Sequence, residues 1–141
     1  MEIKGFFNEF RFLSNFWPCQ ITWAGIDFPS TEHAYQAAKT TDVEERERIA
    51  SLPTPRDAKA AGYKVQIRPN WDEIRIGIMK ELLELKFADP ELQRALIMTD
   101  PTYLEETNSW GDTFWGVCAG EGENHLGRLL MEVRDTVKPR A

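Results

Sequence analysis

Residues 70–88 (NWDEIRIGIMKELLELKFA) carry the most regular apolar pattern in the chain. The apolar stripe consists of Ile74, Ile78, Leu82 and Leu85, with Met79 beside it. These positions recur every three to four residues, which is the spacing of one face of an α-helix. Asn70 followed by Glu73 is consistent with a capping box at the start. The pattern predicts a long amphipathic helix over 70–88 whose stripe faces the core.

Caps and helix breakers predict five shorter helices along the rest of the chain. They cover about residues 30–40, 43–52, 54–62, 91–99 and 124–137. Ser30 is a typical N-cap, Asp89 caps a helix that Pro90 starts, and Gly62 is positioned to end the third helix. In the last helix an inward face is predicted for Leu126, Leu129, Leu130 and Val133.

Residues 3–28 are predicted to form strands and turns. The runs IKGFF and QITW are rich in β-branched and aromatic residues, and Ala24-Gly25 is suited to a tight turn before IDF. Together these patterns predict a mostly α, α-rich α+β fold with a small N-terminal antiparallel β-sheet. At 141 residues, the chain is expected to form a single domain over 1–141.

Composition and charge exclude several classes of function. The formal net charge is −6, so no overall electrostatic attraction to nucleic acid or to an anionic membrane is expected. The sequence has neither an apolar leader nor a run near the roughly 18 apolar residues of a membrane span. Cys19 and Cys118 lie far apart without a CxxC pair. We therefore expect neither a zinc site nor a disulfide framework, and a cytoplasmic location.

Residues 28–39 (FPSTEHAYQAAK) place four polar or aromatic side chains on one side of a predicted helix. Glu32, Gln36 and Lys39 are spaced at i, i+4 and i+7, and Tyr35 lies at i+3. The second helical position favours an ionised carboxylate for Glu32, because the helix dipole is positive there. Two interpretations stay open from these residues alone: a solvated polar stripe, or one wall of a site.

The long segment 107–124 (TNSWGDTFWGVCAGEGEN) is predicted to be a functional loop, because its tryptophans argue against disorder. Asp112 and Trp115 lie three residues apart between glycines, which suits contact with a flat ligand. The alternative is a turn aspartate beside a tryptophan that fills the core. In GEGENHLG, Asn124 is a natural N-cap, although the glycines leave N–H groups that could bind an anion.

The stretch FRFLSNFWP offers further contacts. Arg11 could bind a phosphate, and Phe16 or Trp17 could stack on a ring; the alternative is a buried hairpin with polar turn residues. His33 is expected to be structural, and His125 to be a surface residue in the first turn of its helix. Neither has the second ligand or the nucleophile that metal or triad chemistry needs.

Six blocks in this order resemble the YbiA-like family, also called NADAR. They are LSNF, FPSTEHAYQAAK, RPNWDEIRIGIMKELLELKF, LEET, DTFWG and GENHLGRLLMEVR. Each block alone would be weak, but their order and spacing are specific, and the resemblance runs from about residue 12 to residue 134. It implies a compact, mostly helical fold and N-glycosidase activity, with neither a metal nor another cofactor.

The resemblance also implies substrates and residue roles. It suggests hydrolysis of a ribosyl C–N bond, in phosphoribosylamino-pyrimidine intermediates of riboflavin biosynthesis or, as an alternative, in ADP-ribosyl-guanine of nucleic acid. The catalytic residues that it implies are Glu32, Asp112, Trp115 and Lys39. Residues expected to contact the substrate are Arg11, Asn15, Phe16, Tyr35, Gln36, Trp110 and Asn124. The expected partner is thus a small ribosyl-phosphate or ADP-ribosyl substrate, with nucleic acid only as a modified substrate and no membrane.

The chemistry of such a bond fits the residue types. Cleavage passes through an oxocarbenium-like state, so a carboxylate near the sugar stabilises the developing charge. A second polar group must activate water or protonate the leaving nitrogen. Lys39 has two roles open: it could donate to the sugar or phosphate, or it could attack the anomeric carbon and form a Schiff base. A non-catalytic ADP-ribose-binding module is the rival interpretation, and it would not need both carboxylates.

The basic residues in the middle of the chain leave one further question open. They are Arg46, Arg48, Arg56, Lys59, Lys64 and Arg68. Such a concentration could form a patch for a nucleic-acid substrate, or it could be a solvated face. The sequence leaves the oligomeric state open as well.

Overall fold

The computed structural model describes residues 1–139, which fall into two compact units. One unit combines Met1–Ser14 with the chain from Phe87 onward, and the other is Asn15–Lys86. The single domain predicted over 1–141 stays a prediction, and residues 140–141 of it lie outside the described residues.

In chain order the elements are β1 (Glu2–Lys4), a 3₁₀ helix (Asn8–Leu13), β2 (Pro18–Trp23), β3 (Ile26–Ser30), α1 (Thr31–Ala38), α2 (Val43–Ala50), α3 (Pro55–Gly62), α4 (Trp71–Lys86), α5 (Pro90–Ile97), β4 (Tyr103–Glu105), β5 (Thr107–Asn108), β6 (Val117–Cys118) and α6 (His125–Val137). The predicted α-rich α+β fold is confirmed.

The unit Asn15–Lys86 begins with the predicted antiparallel hairpin. Strands β2 and β3 pair with Ile21 opposite Phe28, and both side chains are buried. Ala24 and Gly25 both have positive φ values, 52° and 77°, which is the conformation of a two-residue hairpin turn that matches the strand twist. The hairpin leads directly into α1 through Ser30, whose hydroxyl accepts a hydrogen bond from the backbone N–H of His33 (3.1 Å).

Helix α1 is buried along its whole length. All eight of its residues are buried, including the polar Thr31, Glu32, His33 and Gln36. Within this unit it packs against α2, α3, α4 and both strands of the hairpin. The interpretation of Glu32, Tyr35 and Gln36 as a solvated stripe is therefore wrong.

Helix α4 starts one residue later and ends two residues earlier than predicted, and its inward face is rotated. The buried residues are Trp71, Met79, Leu82, Leu83 and Lys86. Leu85, which was predicted to face the core, is 38% exposed, and Ile74 and Ile78 are half-buried. The predicted face is confirmed for Met79 and Leu82 but is wrong for Leu85. Several faces of this helix carry aliphatic residues, so spacing alone did not select the packed one.

The other unit departs further from the prediction. Strand β1 does not join the hairpin but pairs in parallel with β4, with Ile3 opposite Leu104. Within the segment expected to be a loop, β5 pairs in parallel with β6. Residues 8–13 form a 3₁₀ helix in place of a hairpin. These strands are two or three residues long, too short for a periodic pattern to develop.

Helices α5 and α6 agree with the prediction. Asp89 caps α5 through the backbone N–H of Leu92 (3.0 Å), and Pro90 is its first residue. The expected inward face of α6, Leu126, Leu129, Leu130 and Val133, is buried. No helix within residues 1–139 has both the length and the apolar character that crossing a membrane requires.

Candidate active site

The N-terminal turn of α1 holds Glu32 in a buried position. The side chain belongs to the second helical residue and is 8% exposed. Its backbone N–H donates to the carbonyl oxygen of Asn15 (3.0 Å), which fixes the segment before β2 against the start of the helix. The positive end of the helix dipole adjoins this carboxyl group and favours its ionised form.

Gln36 holds the carboxyl group of Glu32 from one turn further along α1. Its Nε2 donates to Oε2 of Glu32 at 2.5 Å, and the Gln36 side chain is 4% exposed. This hydrogen bond is buried and its acceptor is a carboxylate, and charge-assisted hydrogen bonds of this kind are the strong ones. Glu32 is therefore positioned within α1 itself by the i, i+4 spacing that the sequence displays.

Lys39 follows the last residue of α1 and lies between two aromatic rings. Its Nζ is 5.7 Å from the ring centre of Tyr35 and 5.6 Å from that of Tyr63, both within the range of cation–π attraction. Burial lowers the pKa of Lys39 below its ordinary value of 10.5, while the nearby Glu32 carboxylate raises it and Lys59 and Arg75 lower it further. A lysine in this state releases its proton more readily than one on the surface.

The backbone on either side of Lys39 is fixed by two arginines. The N–H of Arg68 donates to the carbonyl oxygen of Lys39 (2.8 Å). The guanidinium of Arg68 donates to Ala38 O (3.4 Å), and Nε of Arg46 donates to Thr40 O (2.8 Å). Arg46 also stacks on the Trp23 ring at 4.7 Å. These two basic residues, for which a nucleic-acid patch or a solvated face was left open, therefore bind carbonyl groups at the C-terminal end of α1 and just after it.

The other predicted contact residues of this unit are Asn15, Phe16 and Tyr35. Asn15 directs Nδ2 toward the sulfur of Met79 (3.7 Å), and Phe16 is 42% exposed. Tyr35 is buried, with its ring centre 5.2 Å from that of Trp71. Tyr63 was missed by the sequence reasoning, because an aromatic residue just after a helix-ending glycine carries no recognisable signal.

His33 is structural, as predicted. Its Nε2 lies 3.0 Å from the carbonyl oxygen of Leu52, which can only accept, so this nitrogen carries the proton. Nδ1 then accepts from the Ser30 hydroxyl at 2.7 Å. Burial lowers the pKa of His33, so the neutral ring links the start of α1 to the segment after α2.

In the other unit, Asp112 organises a tight turn. Its Oδ1 accepts hydrogen bonds from the backbone N–H groups of Phe114 (3.1 Å) and Trp115 (2.9 Å). Asn108, which sequence reasoning missed, binds the backbone of Asp112 on both sides, accepting from its N–H (3.0 Å) and donating to its carbonyl (2.9 Å). This geometry is an Asx-turn, a known use of aspartate in loops.

Trp115 lies in an aromatic cluster next to that turn. Its ring meets Phe114 edge-on at 4.8 Å, and Phe114 lies 4.5 Å from the ring of His125. His125 was expected on the surface, but its side chain is only 22% exposed, because the aromatic loop folds over the start of α6. Trp110 is 59% exposed, which leaves it accessible for stacking.

Asn124 occupies the N-cap position of α6, as predicted, but its side chain makes no capping hydrogen bond. The residue adopts the left-handed conformation (φ 54°) and is buried. Its amide donates to Leu104 O (2.9 Å) and accepts from the N–H of Glu106 (3.0 Å). These bonds tie the end of β4 to the start of α6.

The remaining predictions concern Arg11 and metals. Arg11 lies on the 3₁₀ helix and is exposed. Within residues 1–139, no group of three or more His, Cys, Asp or Glu side chains is arranged to hold a metal ion.

Apart from Arg11 and Phe16, the predicted residues thus fall into two groups, one in each unit. The first group, in Asn15–Lys86, contains Glu32, Tyr35, Gln36 and Lys39 on α1 and its C-cap, with Asn15 bonded to the helix start. The second group contains Asp112, Trp115, Trp110 and Asn124.

Comparison with known proteins identifies the family. The model of the NADAR domain matches residues 5–138. The N-glycosidase YbiA of Escherichia coli is 34% identical over 134 residues, covering 91% of this chain and 82% of that protein. A riboflavin biosynthesis protein of Vibrio vulnificus is 38% identical, covering 92% of this chain, but the chain spans only 36% of its length. The NMR structure of E. coli YbiA matches with a TM-score of 0.84 at 32% identity, covering 97% of this chain and 86% of that one. The predicted family is confirmed: the chain belongs to the NADAR family.

Proposed function

We propose that this chain is an N-glycosidase that hydrolyses the bond between a ribose anomeric carbon and a nitrogen. The names of its relatives in Escherichia coli and Nostoc punctiforme, both N-glycosidases, support the reaction class. The observation that carries the proposal is the buried carboxyl group of Glu32, which accepts a hydrogen bond from Gln36 in the same helix. Lys39 directly follows the last residue of that helix. That arrangement suits the charge that develops on a sugar during C–N cleavage.

Glu32 acts on the sugar in this proposal. As the C1′–N bond breaks, positive charge spreads over C1′ and the ring oxygen, and a carboxylate close by lowers the energy of that state. The interaction is stronger in a buried setting than in water, because the effective dielectric constant is lower. Gln36 keeps one carboxylate oxygen in place, so little reorganisation is needed when the charge appears.

Lys39 has two roles open, and its lowered pKa supports the covalent one. As a neutral amine, Nζ forms a bond to C1′ while the C1′–N bond breaks and the departing nitrogen takes up a proton. Opening of the ribose ring then gives a Schiff base, and water hydrolyses it to release the sugar and regenerate the amine. As an ammonium, Lys39 would instead donate to the sugar or to its phosphate.

Asp112 and Trp115 enter the proposal through the family resemblance. We assign to Asp112 the second carboxylate, which orients the ribose hydroxyls or the water, and to Trp115 stacking against the base. The Asx-turn that Asp112 forms fixes the backbone between Asp112 and Trp115, and so fixes the positions from which both side chains extend. Arg11, Asn15, Phe16, Tyr35 and Trp110 are proposed as further contacts to the substrate.

The favoured substrate is a phosphoribosylamino-pyrimidine intermediate of riboflavin biosynthesis, with release of ribose 5-phosphate. The name of the Vibrio vulnificus relative supports this class. The alternative substrate is ADP-ribosyl-guanine. The lowered pKa of Lys39 supports it, because a Schiff-base route through this lysine suits hydrolysis of that substrate. The contacts of three arginines argue against a nucleic-acid substrate. Arg46 and Arg68 donate to backbone carbonyls at the end of α1 and just after it, and Arg48 pairs with Glu45 at 2.7 Å. We also propose a cytoplasmic location.

Chromatographic assay of both substrates tests the proposal. The purified chain is incubated with the phosphoribosylamino-pyrimidine and, separately, with ADP-ribosylated DNA, and the release of ribose 5-phosphate or ADP-ribose is followed. We expect turnover of the pyrimidine and at least about tenfold slower release from DNA. Release from DNA alone would favour the alternative substrate. Tight binding of ADP-ribose without turnover of either substrate would reject the enzyme in favour of a binding module.

A further inference from the structure

Gly62, the last residue of α3, lies directly beneath the side chain of Gln36. A Cβ atom built on Gly62 would lie 1.8 Å from Oε1 of Gln36, 2.6 Å from its Cδ and 3.2 Å from its Cβ. The first two distances are far inside van der Waals contact. Any larger residue at position 62 therefore requires the Gln36 amide to move.

The backbone conformation does not explain this glycine. Gly62 lies within the α-helix Pro55–Gly62 and is not among the residues with positive φ. Alanine would suit such a helical position better than glycine, because glycine has the lower helix propensity. The sequence interpretation of Gly62 as a helix stop is thus insufficient: the helix ends there, but the close approach of α1 is what requires the missing side chain.

Movement of the Gln36 amide would disturb Glu32. The hydrogen bond from Nε2 to Oε2 of Glu32 has little freedom, since Gln36 is 4% exposed and Glu32 is 8% exposed. Tyr63, the next residue after Gly62, contributes the second ring beside Lys39. At the end of α3, Gly62 therefore lies beside Gln36, and Tyr63, just after the helix, lies beside Lys39.

We propose that Gly62 is a positioning residue for the Glu32 carboxylate, acting through Gln36. It leaves the space in which the amide lies, and the amide orients the carboxylate. The kinetic part of this inference rests on the proposed N-glycosidase function, whereas its structural part concerns Gln36 alone.

The test compares Gly62→Ala with Gly77→Ala. Gly77 is a matched control, because it also lies in a helix of the same unit and a Cβ there would meet nothing within 4 Å. Gln36→Ala and the double variant Gly62→Ala/Gln36→Ala complete the set. In the double variant the two closest contacts are removed, and the remaining 3.2 Å contact to Cβ of residue 36 needs only a small shift.

The first readout is the pair of side-chain amide signals of Gln36 in a ¹H–¹⁵N spectrum, assigned by their loss in Gln36→Ala. We expect Gly62→Ala to shift these signals and to speed their exchange with water, and Gly77→Ala to leave them unchanged. Unchanged signals in Gly62→Ala would overturn the proposal. This readout needs no catalysis, so it decides the structural part even if the chain turns over no ribosyl substrate.

The second readout is turnover of the phosphoribosylamino-pyrimidine. We expect Gly62→Ala and Gln36→Ala each to lower kcat about tenfold with a much smaller change in KM, the loss that one hydrogen bond to a charged group produces. The double variant should be no slower than Gln36→Ala, because both changes act through one contact. Multiplying effects would overturn the proposal. If Gly62→Ala fails to fold, folding of the double variant supports it, and failure of both contradicts it.

Discussion

The amide of Gln36 donates a hydrogen bond to the carboxyl group of Glu32 at 2.5 Å, and both side chains are buried in one helix. A carboxylate that is fixed before the substrate arrives stabilises developing positive charge without first reorganising. Lys39 directly follows the last residue of the same helix, and its carbonyl oxygen accepts a hydrogen bond from the N–H of Arg68. Glu32 is therefore fixed through its side chain near the start of α1, and Lys39 is fixed through its backbone just after the end of the helix.

Two substitutions of Asp112 separate its structural role from its charge. Asp112→Asn keeps an oxygen that can accept from the N–H groups of Phe114 and Trp115, so its free energy of unfolding should stay within about 1 kcal/mol of wild type. Turnover should nevertheless fall about tenfold or more, because the second carboxylate is lost. Asp112→Ala should lose both turnover and about 1–2 kcal/mol of stability. Full turnover in Asp112→Asn, measured beside urea unfolding, would contradict the proposed role.

Borohydride trapping distinguishes the two roles of Lys39. With the lowered pKa of this lysine, we expect reduction during turnover to attach one ribosyl group to the wild-type chain, detectable by mass spectrometry. Lys39→Ala should show no adduct and little turnover, and Lys39→Arg should also be inactive because a guanidinium does not form the imine. An active Lys39→Ala without an adduct in wild type would reject the covalent role and leave substrate binding.

The burial of Lys86 predicts that the free energy of unfolding depends on pH. It is 1% exposed, and burial lowers its pKa to about 8, while Cys19 acts weakly in the opposite direction. Between pH 8 and 10.5 the unfolded chain then binds more protons than the folded one, so the free energy of unfolding rises with pH there. The rise attributable to Lys86 should be about 3 kcal/mol across that window.

Urea unfolding of wild type and Lys86→Met at several pH values measures this effect. The difference between the two proteins should change in favour of wild type as the pH rises from 8 to 10, because Met cannot titrate. Other groups titrate equally in both chains and cancel. Parallel stability curves would mean that Lys86 keeps an ordinary pKa despite its burial.

The sequence predicted well wherever local chemistry decides the structure. Ser30, Asp89 and the Ala24-Gly25 turn act as expected because caps and hairpin turns depend on a few neighbouring residues. The i, i+4 relationship of Glu32 and Gln36 likewise follows from helix geometry alone. The family was also identifiable, because six blocks in order are specific even when each is short.

Prediction failed where long-range packing decides the structure. The parallel pairing of β1 with β4 joins residues about a hundred positions apart, and no local pattern records such a pairing. Leu85 was expected in the core because helix spacing defines a stripe but not which stripe meets a neighbour. For the same reason, the contact of Gly62 with Gln36 and that of Tyr63 with Lys39 became visible only in the folded chain.

The central claim is that the carboxylate of Glu32 drives cleavage of the ribosyl C–N bond. Glu32→Gln tests it most directly, since the amide keeps the size of the side chain and an oxygen that Gln36 can still bind. We expect its free energy of unfolding to stay within about 1 kcal/mol of wild type. Release of ribose 5-phosphate from the phosphoribosylamino-pyrimidine should fall about a thousandfold. Near-normal release by a folded Glu32→Gln variant would contradict the account.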